Sequence, residues 1–185
     1  MNEMSKIDTA AAQPANGIDP AEWEVRVDLA ACYRLVDLYG MTDLHLNHIS
    51  ARVPGTEEHF LINPFGMMYE EITASSLIKI DLAGNIISNS NPDYGVNLAG
   101  YVIHSAIHGV RHDVGCVLHT HTNAGMAVSS LKCGLLPMTQ TAMRWKKIAY
   151  HDFEGVVVDL DEQKRLVANL GDADRKSTRL NSSHT

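Results

Sequence analysis

The chain has few cysteines, no excess of positive charge and no long apolar run, and each absence excludes a class of protein. Its three cysteines, Cys32, Cys116 and Cys133, are odd in number and lie in apolar patterns, as buried thiols in a reducing compartment do. A net charge of −7 without a basic patch argues against nucleic-acid binding. No stretch approaches the ~20 apolar residues of a membrane span, and a signal-peptide core is lacking. The sequence therefore predicts a cytoplasmic protein.

Two common catalytic signatures are absent as well. There is no glycine-rich phosphate loop and no Gly-x-Ser-x-Gly elbow, which argues against nucleotide-binding and serine-hydrolase functions. Histidine, by contrast, is abundant, with ten in 185 residues and nine of them before residue 152. The hydrophobic fraction of 45% and charged fraction of 20% are ordinary for a globular domain. Metal binding is therefore the first hypothesis.

The pattern of apolar residues predicts helices and strands mixed along the chain. Asp19-Pro20 is a helix-start signal, and helical spacing continues to Leu38. Further helices are predicted over 97–112, 122–132 and 161–170. Strand patterns predict a hairpin of 48–53 with 59–64, a second hairpin within 77–87, a buried strand at 114–119 and strand structure within 147–160. This mixture is typical of an α/β or α+β layered domain around one mixed sheet.

The two ends of the chain differ from the middle. Residues 1–18 contain few large apolar groups and predict a flexible leader. The string DRKSTRLNSSH (174–184) has no apolar periodicity and resembles the translation of a sequencing-library adapter. We therefore expect one domain over 19–173 that lacks its last part, followed by an artefactual tail over 174–185.

His119 and His121 form the most suggestive motif, at the end of the predicted strand 114–119. Side chains at i and i+2 of a strand point to the same face, and a strand end is a usual place for a site in α/β proteins. Neutral imidazoles bind zinc at about 2.0–2.1 Å. A bare His-x-His pattern is more often one buried, hydrogen-bonded histidine and one exposed histidine, so the residues alone leave both interpretations open.

Other histidines are weaker candidates. His104 and His108 are four residues apart and share a helix face, which suits either a metal or a structural role. His112 is interpreted as a solvated helix-end residue. His151 with Asp152 is interpreted as a packed pair at a strand end, with part of a substrate cleft as the alternative. Asn47-His48 precedes a strand and could face a ligand.

Several segments together resemble the class II aldolase/adducin family. They are LNHISARV, FLINPFGMMYEEITASSLIKID, IHSAIHGVRHDVGCVLHTHTNAGMAVSSLKCGLLP and IAYHDFEGVVVD, and the similarity is strongest to the adducin-type branch. The resemblance implies a three-layer α/β/α sandwich around a mixed β-sheet, usually assembled as a homotetramer. It also implies, for the aldolases of the family, a zinc ion held by three histidines that polarises a carbonyl and stabilises an enediolate.

The resemblance places the first two zinc ligands on His119 and His121. The third belongs to an Asn-His-Gly segment on a later strand, which this sequence does not contain. The family's catalytic glutamate falls on Gly100, and glycine cannot move a proton. His104, one turn further along, is a weak candidate for that role.

The resemblance also bears on the substrate. The family's Gly-Asn, Thr-Gly and Ser-Ser pairs that surround a substrate phosphate read here as Asn47-His48, Phe65-Gly66 and Leu98-Ala99. Only Gly66 is retained, so a sugar-phosphate substrate is disfavoured, while Asn47, His48 and Gly66 remain candidates for substrate contact.

Two functions follow from these observations. The preferred hypothesis is a protein that binds zinc or another divalent metal and carries out aldolase-like lyase or related carbonyl chemistry on a small unphosphorylated carbonyl or hydroxy substrate. The alternative is a non-catalytic, adducin-like oligomeric or interaction module of the cytoskeletal type, which the glycine at position 100 favours. The retained histidine pair favours the first.

Overall fold

A five-stranded antiparallel sheet forms the centre of the protein. The computed structural model describes residues 17–144, 148–152, 160–173 and 175–179. The strands of the sheet lie in the order β4-β3-β2-β1-β5, and they are β1 (His48–Arg52), β2 (His59–Ile62), β3 (Ile78–Asp81), β4 (Ile86–Ser88) and β5 (Cys116–His119). Both predicted hairpins are confirmed, since β1 pairs with β2 and β3 with β4. The later strand β5 pairs with the other edge of β1.

Four α-helices accompany the strands: α1 (Pro20–Leu38), α2 (Leu98–Val110), α3 (Asn123–Ser129) and α4 (Leu160–Leu170). Helix α1 begins as predicted, because the Asp19 carboxylate accepts a hydrogen bond of 2.8 Å from the Ala21 N–H. Helix α3 ends three residues earlier than predicted. The hydroxyls of Ser129 and Ser130 donate to the Met126 carbonyl at 2.9 Å, and such bonds compete with helix continuation. In the described part of the chain, no helix combines the length and apolarity needed to cross a membrane.

The helices cover both faces of the sheet and give three layers. Helix α1 covers one face through an apolar cluster of Leu29, Tyr33, Val36, Ile49, Ala51, Val53, Leu61, Tyr69, Ile72 and Leu77. On the opposite face, α2 lies over the sheet, and α4 packs against α2. The buried apolar residues on that side are Phe60, Ile62, Ile78, Ile80, Ile107, Leu166 and Leu170. The predicted α/β/α arrangement is therefore confirmed.

A second, smaller sheet pairs β6 (Ile148–Asp152) with β7 (Arg175–Arg179) in parallel. Parallel pairing therefore occurs beside the antiparallel pairing of the larger sheet. Strand β7 lies within the segment predicted as an artefactual tail, and backbone pairing needs no particular side chains, so the origin of 174–185 stays a prediction. Residues 1–16 of the predicted leader, residues 153–159 of the predicted strand region, and residues 174 and 180–185 lie outside the described residues.

Candidate metal centre

His119 and His121 converge at the end of β5. Their Nε2 atoms are 2.7 Å apart, and the two rings meet nearly at right angles. This is a hydrogen-bond distance, and the two nitrogens would have to move to about 3.3 Å apart for both to bind one tetrahedral ion at the usual zinc–histidine distance of about 2.0–2.1 Å. The two side chains are therefore close enough to be candidates for two ligands of a metal site.

Asp43 holds His121 in the orientation that a ligand needs. Its Oδ2 lies 2.9 Å from Nδ1 of His121. The His121 side chain is almost fully buried. The Asp43 N–H donates in turn to Oδ1 of Asn47 at 2.6 Å. A carboxylate on one imidazole nitrogen fixes the tautomer and leaves the other nitrogen for a metal. Sequence reasoning missed Asp43, because nothing in the pattern shows that the loop after α1 returns to β5.

No third ligand joins this pair among the residues that the structure describes. In those ranges, no group of three histidine, cysteine, aspartate or glutamate side chains could hold a metal ion. His48 is the cross-strand neighbour of His119, but the two rings stack face to face, with centroids 4.8 Å apart and an interplanar angle of 20°. The geometry thus brings together two candidate ligands and one stacked imidazole.

Beneath His48, a chain of hydrogen bonds leads into the protein. Nδ1 of His48 lies 2.7 Å from Nε2 of His104, and Nδ1 of His104 lies 2.6 Å from Oγ of Ser50. The same Oγ lies 2.8 Å from Nε2 of His108. The spacing of His104 and His108 correctly predicted one shared face, and these bonds give that face a structural role. Sequence reasoning missed Ser50, although its position two residues after His48 places both on one side of β1.

These buried imidazoles are neutral at pH 7. Burial lowers the pKa of His48 and of His104 well below the ordinary value of 6.5, and neighbouring histidines add to the effect. Burial, together with the charge of Arg52, lowers the pKa of His108 to about 4. Burial therefore favours the uncharged form of all three imidazoles in the chain.

Gly100 leaves room for the His48 ring. A Cβ built at Gly100 would lie 2.9 Å from both Cγ and Cδ2 of His48, closer than real side chains approach. The place that the resemblance gives to a glutamate is thus occupied by an imidazole from β1. His104, the weak alternative for the acid–base role, lies behind that ring and is fully buried.

The predicted substrate segments come together near the same end of the sheet. Asn47 is fully buried, and its Nδ2 has no hydrogen-bond partner among the described residues. The rings of His45 and Phe65 are in contact, with centroids 5.1 Å apart, so the loop before β1 adjoins Phe65-Gly66. Gly66 has a φ of +103°, which explains why glycine is retained there.

Two other histidines, His112 and His151, make their contacts with residues outside this site. His112 is exposed beside Glu57. His151 is buried, with Nε2 3.3 Å from the Glu162 carboxylate and Nδ1 2.8 Å from the Asn169 amide nitrogen. The exposed position of His112 and the burial of His151 agree with their structural interpretations, but the predicted packing of His151 with Asp152 is wrong, because Asp152 is exposed.

Comparison with known proteins decides the family. The model of the class II aldolase and adducin N-terminal domain matches residues 27–182. This chain belongs to the class II aldolase/adducin family. A provisionally named aldolase class 2 protein of Pseudomonas aeruginosa is 54% identical over 169 residues, which are 91% of this chain and 64% of that protein. Rat alpha-adducin is 49% identical over 153 residues, which are 83% of this chain and 21% of that protein.

Solved class II aldolase structures agree. The crystal structure of an aldolase II superfamily protein from Pseudomonas syringae matches with a TM-score of 0.86 and 54% identity, over 88% of this chain and 66% of that one. An L-fuculose 1-phosphate aldolase from Glaciozyma antarctica matches with a TM-score of 0.78 and 26% identity, over 91% and 66%. The chain thus spans less than two thirds of the length of the curated relatives described here, and both aldolase-named and adducin-named proteins are among its relatives.

Proposed function

We propose that this chain is the metal-binding part of a class II aldolase-type enzyme that performs lyase or related carbonyl chemistry. The ion is zinc or another divalent metal held by His119 and His121. The observation that carries the proposal is the convergence of their Nε2 atoms at 2.7 Å, with Asp43 bonded to the far nitrogen of His121. Such an ion supplies a Lewis acid that polarises a carbonyl oxygen.

The residues around the pair support a small, unphosphorylated carbonyl or hydroxy substrate. Asn47 has a buried amide nitrogen without a hydrogen-bond partner among the described residues, and Phe65, beside Gly66, contacts His45 in the loop that precedes β1. The positions that surround phosphate in related aldolases are otherwise changed, since Phe65 and Leu98-Ala99 have no hydroxyl to donate to a phosphate oxygen.

Assembly and location complete the proposal. We expect a homotetramer, and exposed apolar side chains at the end of α1 and in the following loop, Leu38, Tyr39 and Leu44, supply surface that assembly would bury. We expect the cytoplasm, because Cys32, Cys116 and Cys133 are free thiols and reducing compartments favour free thiols.

Zinc titration calorimetry on the whole chain tests the metal site. We expect one ion per chain, bound weakly because two protein ligands are fewer than the three of a catalytic zinc site. His119→Ala and His121→Ala should abolish binding, and Asp43→Asn should weaken it by about 10–100-fold. His112→Ala, at an exposed histidine outside the site, is the matched control and should bind as the wild type does. Unchanged binding by His119→Ala, or no binding by the wild type, contradicts the proposal.

A second function, a non-catalytic adducin-like module, is favoured by the glycine at position 100 and by the similarity to rat alpha-adducin. Measuring the turnover of candidate substrates distinguishes the two functions. Conversion of a small hydroxy-aldehyde or hydroxy-acid in the presence of Zn²⁺, lost in His119→Ala, identifies the enzyme. Metal binding without conversion of any compound in such a panel identifies the module.

A further inference from the structure

The hydrogen-bond chain below the site has a direction that can be worked out from its members. It runs from His48 through His104 and Ser50 to His108, with separations of 2.7, 2.6 and 2.8 Å. Each residue is at most 3% exposed. None of these rings is bonded to a carboxylate in the described part of the chain, and burial disfavours a charged imidazole, so each ring carries a single N–H and the hydroxyl a single hydrogen. Three arrangements of these hydrogens satisfy all three bonds. In one of them Ser50 accepts from both His104 and His108, and its own hydrogen has no acceptor among the described residues, which is unfavourable for a fully buried hydroxyl. Two arrangements remain.

In the first arrangement the hydrogens point toward the site. Nε2–H of His108 donates to Oγ of Ser50, and the Ser50 hydroxyl donates to Nδ1 of His104. Nε2–H of His104 then donates to Nδ1 of His48, which leaves the hydrogen of His48 on Nε2. In the second arrangement every donor is reversed. His48 then has a bare Nε2, and His108 carries its hydrogen on Nδ1.

The buried end of the chain decides between the two. Nδ1 of His108 is buried without a hydrogen-bond partner among the described residues. The guanidinium of Arg52 lies beside this residue and donates to the His108 carbonyl oxygen at 2.7 Å. An N–H on Nδ1 would be an orphaned donor near a cation, whereas a lone pair there is attracted by that charge. The first arrangement is therefore favoured.

The other end of the chain reaches the candidate site. The His48 ring stacks on the His119 ring and lies against Gly100, whose missing side chain gives it room. Its Nδ1 is hydrogen-bonded to His104. Its Nε2 makes no hydrogen bond with the described residues, and it does not belong to the nitrogens in those ranges that are both fully buried and without a partner. Nε2 is thus the atom that His48 offers to a ligand.

We propose that His48 is a hydrogen-bond donor to a carboxylate or carbonyl oxygen of the substrate, and that Ser50, His104 and His108 are positioning residues that hold its hydrogen on Nε2. A glutamate at position 100 would present negative charge here, whereas His48 presents an N–H. The site therefore suits a small substrate with an anionic oxygen, such as a hydroxy- or oxo-acid.

Nitrogen NMR of histidine-labelled whole chain tests the tautomer directly, because protonated and unprotonated ring nitrogens resonate in separate regions of the spectrum. Measured with EDTA present, His48 should show a protonated Nε2 and a bare Nδ1. The opposite tautomer overturns the proposal. Ser50→Ala should remove the preference, and Ser50→Thr, which keeps the hydroxyl, should restore it. A preference unchanged in Ser50→Ala also overturns the proposed positioning role. His151 is the internal reference, since Glu162 and Asn169 fix its tautomer independently.

Ligand response is the second arm, with glycolate as the probe and ethylene glycol as its neutral control. Glycolate should shift the Nε2–H resonance of His48 in the wild type and in Ser50→Thr, and ethylene glycol should not. No response to saturating glycolate overturns the role in substrate binding. The inference rests on the proposed function only in placing a substrate at this site. Because the measurement is made without metal, its failure is distinguishable from failure of zinc binding in the calorimetric test.

Discussion

The two faces of β1 carry opposite chemistry, although consecutive residues supply them. Toward α1, Ile49 and Ala51 join a large apolar cluster. Toward α2, His48 and Ser50 join two histidines in a chain of directional hydrogen bonds. Apolar burial stabilises without regard to direction, whereas a buried polar network stabilises only while every member keeps its partners. The face of β1 toward α1 therefore contributes stability through apolar burial, and the face toward α2 contributes a specific geometry of hydrogen bonds.

The largest effect is expected on the apolar face. Leu61 on β2 is fully buried in the α1 cluster, so Leu61→Ala should lower the free energy of unfolding by about 2–5 kcal/mol. Urea denaturation measures the loss. The control is Leu118→Ala on β5, where the side chain is 47% exposed and the loss should be about 1 kcal/mol or less. Equal losses at the two positions would show that the α1 face is not a tightly packed core.

Lowering the pH should destabilise the protein through the polar face of β1, where His108 is hydrogen-bonded to Ser50. The pKa of His108 is about 4 in the folded protein and near 6.5 when unfolded. Between these values only the unfolded chain binds the proton, so the contribution of this group is complete above pH ~6.5 and is lost as the pH falls toward 4. The loss is on the order of 3 kcal/mol.

Urea midpoints between pH 7.5 and about 4 provide the measurement for this prediction. His108→Gln should depend less steeply on pH than the wild type, whatever its absolute stability. Identical slopes would mean that His108 is not held neutral by its surroundings.

The smallest effect concerns the contact between the polar chain and α2. Gly100→Ala places a methyl group 2.9 Å from ring carbons of His48, and such overpacking should cost about 1–3 kcal/mol. In a His48→Ala background the same substitution should instead stabilise by up to about 1 kcal/mol, because alanine is the better helix former. A double-mutant cycle on thermal or urea unfolding measures this change of sign. The same sign in both backgrounds would show that His48 is not what requires glycine at position 100.

Most elements of the fold could be predicted because local patterns specify them, whereas the three layers were expected from the family resemblance. The capping signal at Asp19 and the alternation in the hairpin strands were sufficient for α1 and for both hairpins. The short α3 was overestimated, because the sequence does not show that serine hydroxyls would turn back onto the Met126 carbonyl. Propensity thus gave the elements more reliably than their ends.

The site was only partly predictable for a different reason. His119 and His121 are neighbours in sequence, so their shared face follows from strand periodicity. Asp43 and Ser50 acquire their roles from contacts 78 and 54 residues away in the chain, which no local pattern encodes. The relation of Gly100 to His48 likewise depends on how α2 lies across β1.

The pairing of β5 with β1 has a consequence for the order of folding. The register that sets His119 opposite His48 closes a loop of about 70 residues, whereas the hairpin of β1 with β2 closes a short one. Long closures cost more entropy and form later. Among the described strands, β5 also has β1 as its only neighbour, and an element at the border of a sheet opens at lower free energy than the centre does. The histidine pair would then be assembled among the last native contacts and released among the first, so that metal retention at the proposed site would report the integrity of this strand before global unfolding becomes detectable.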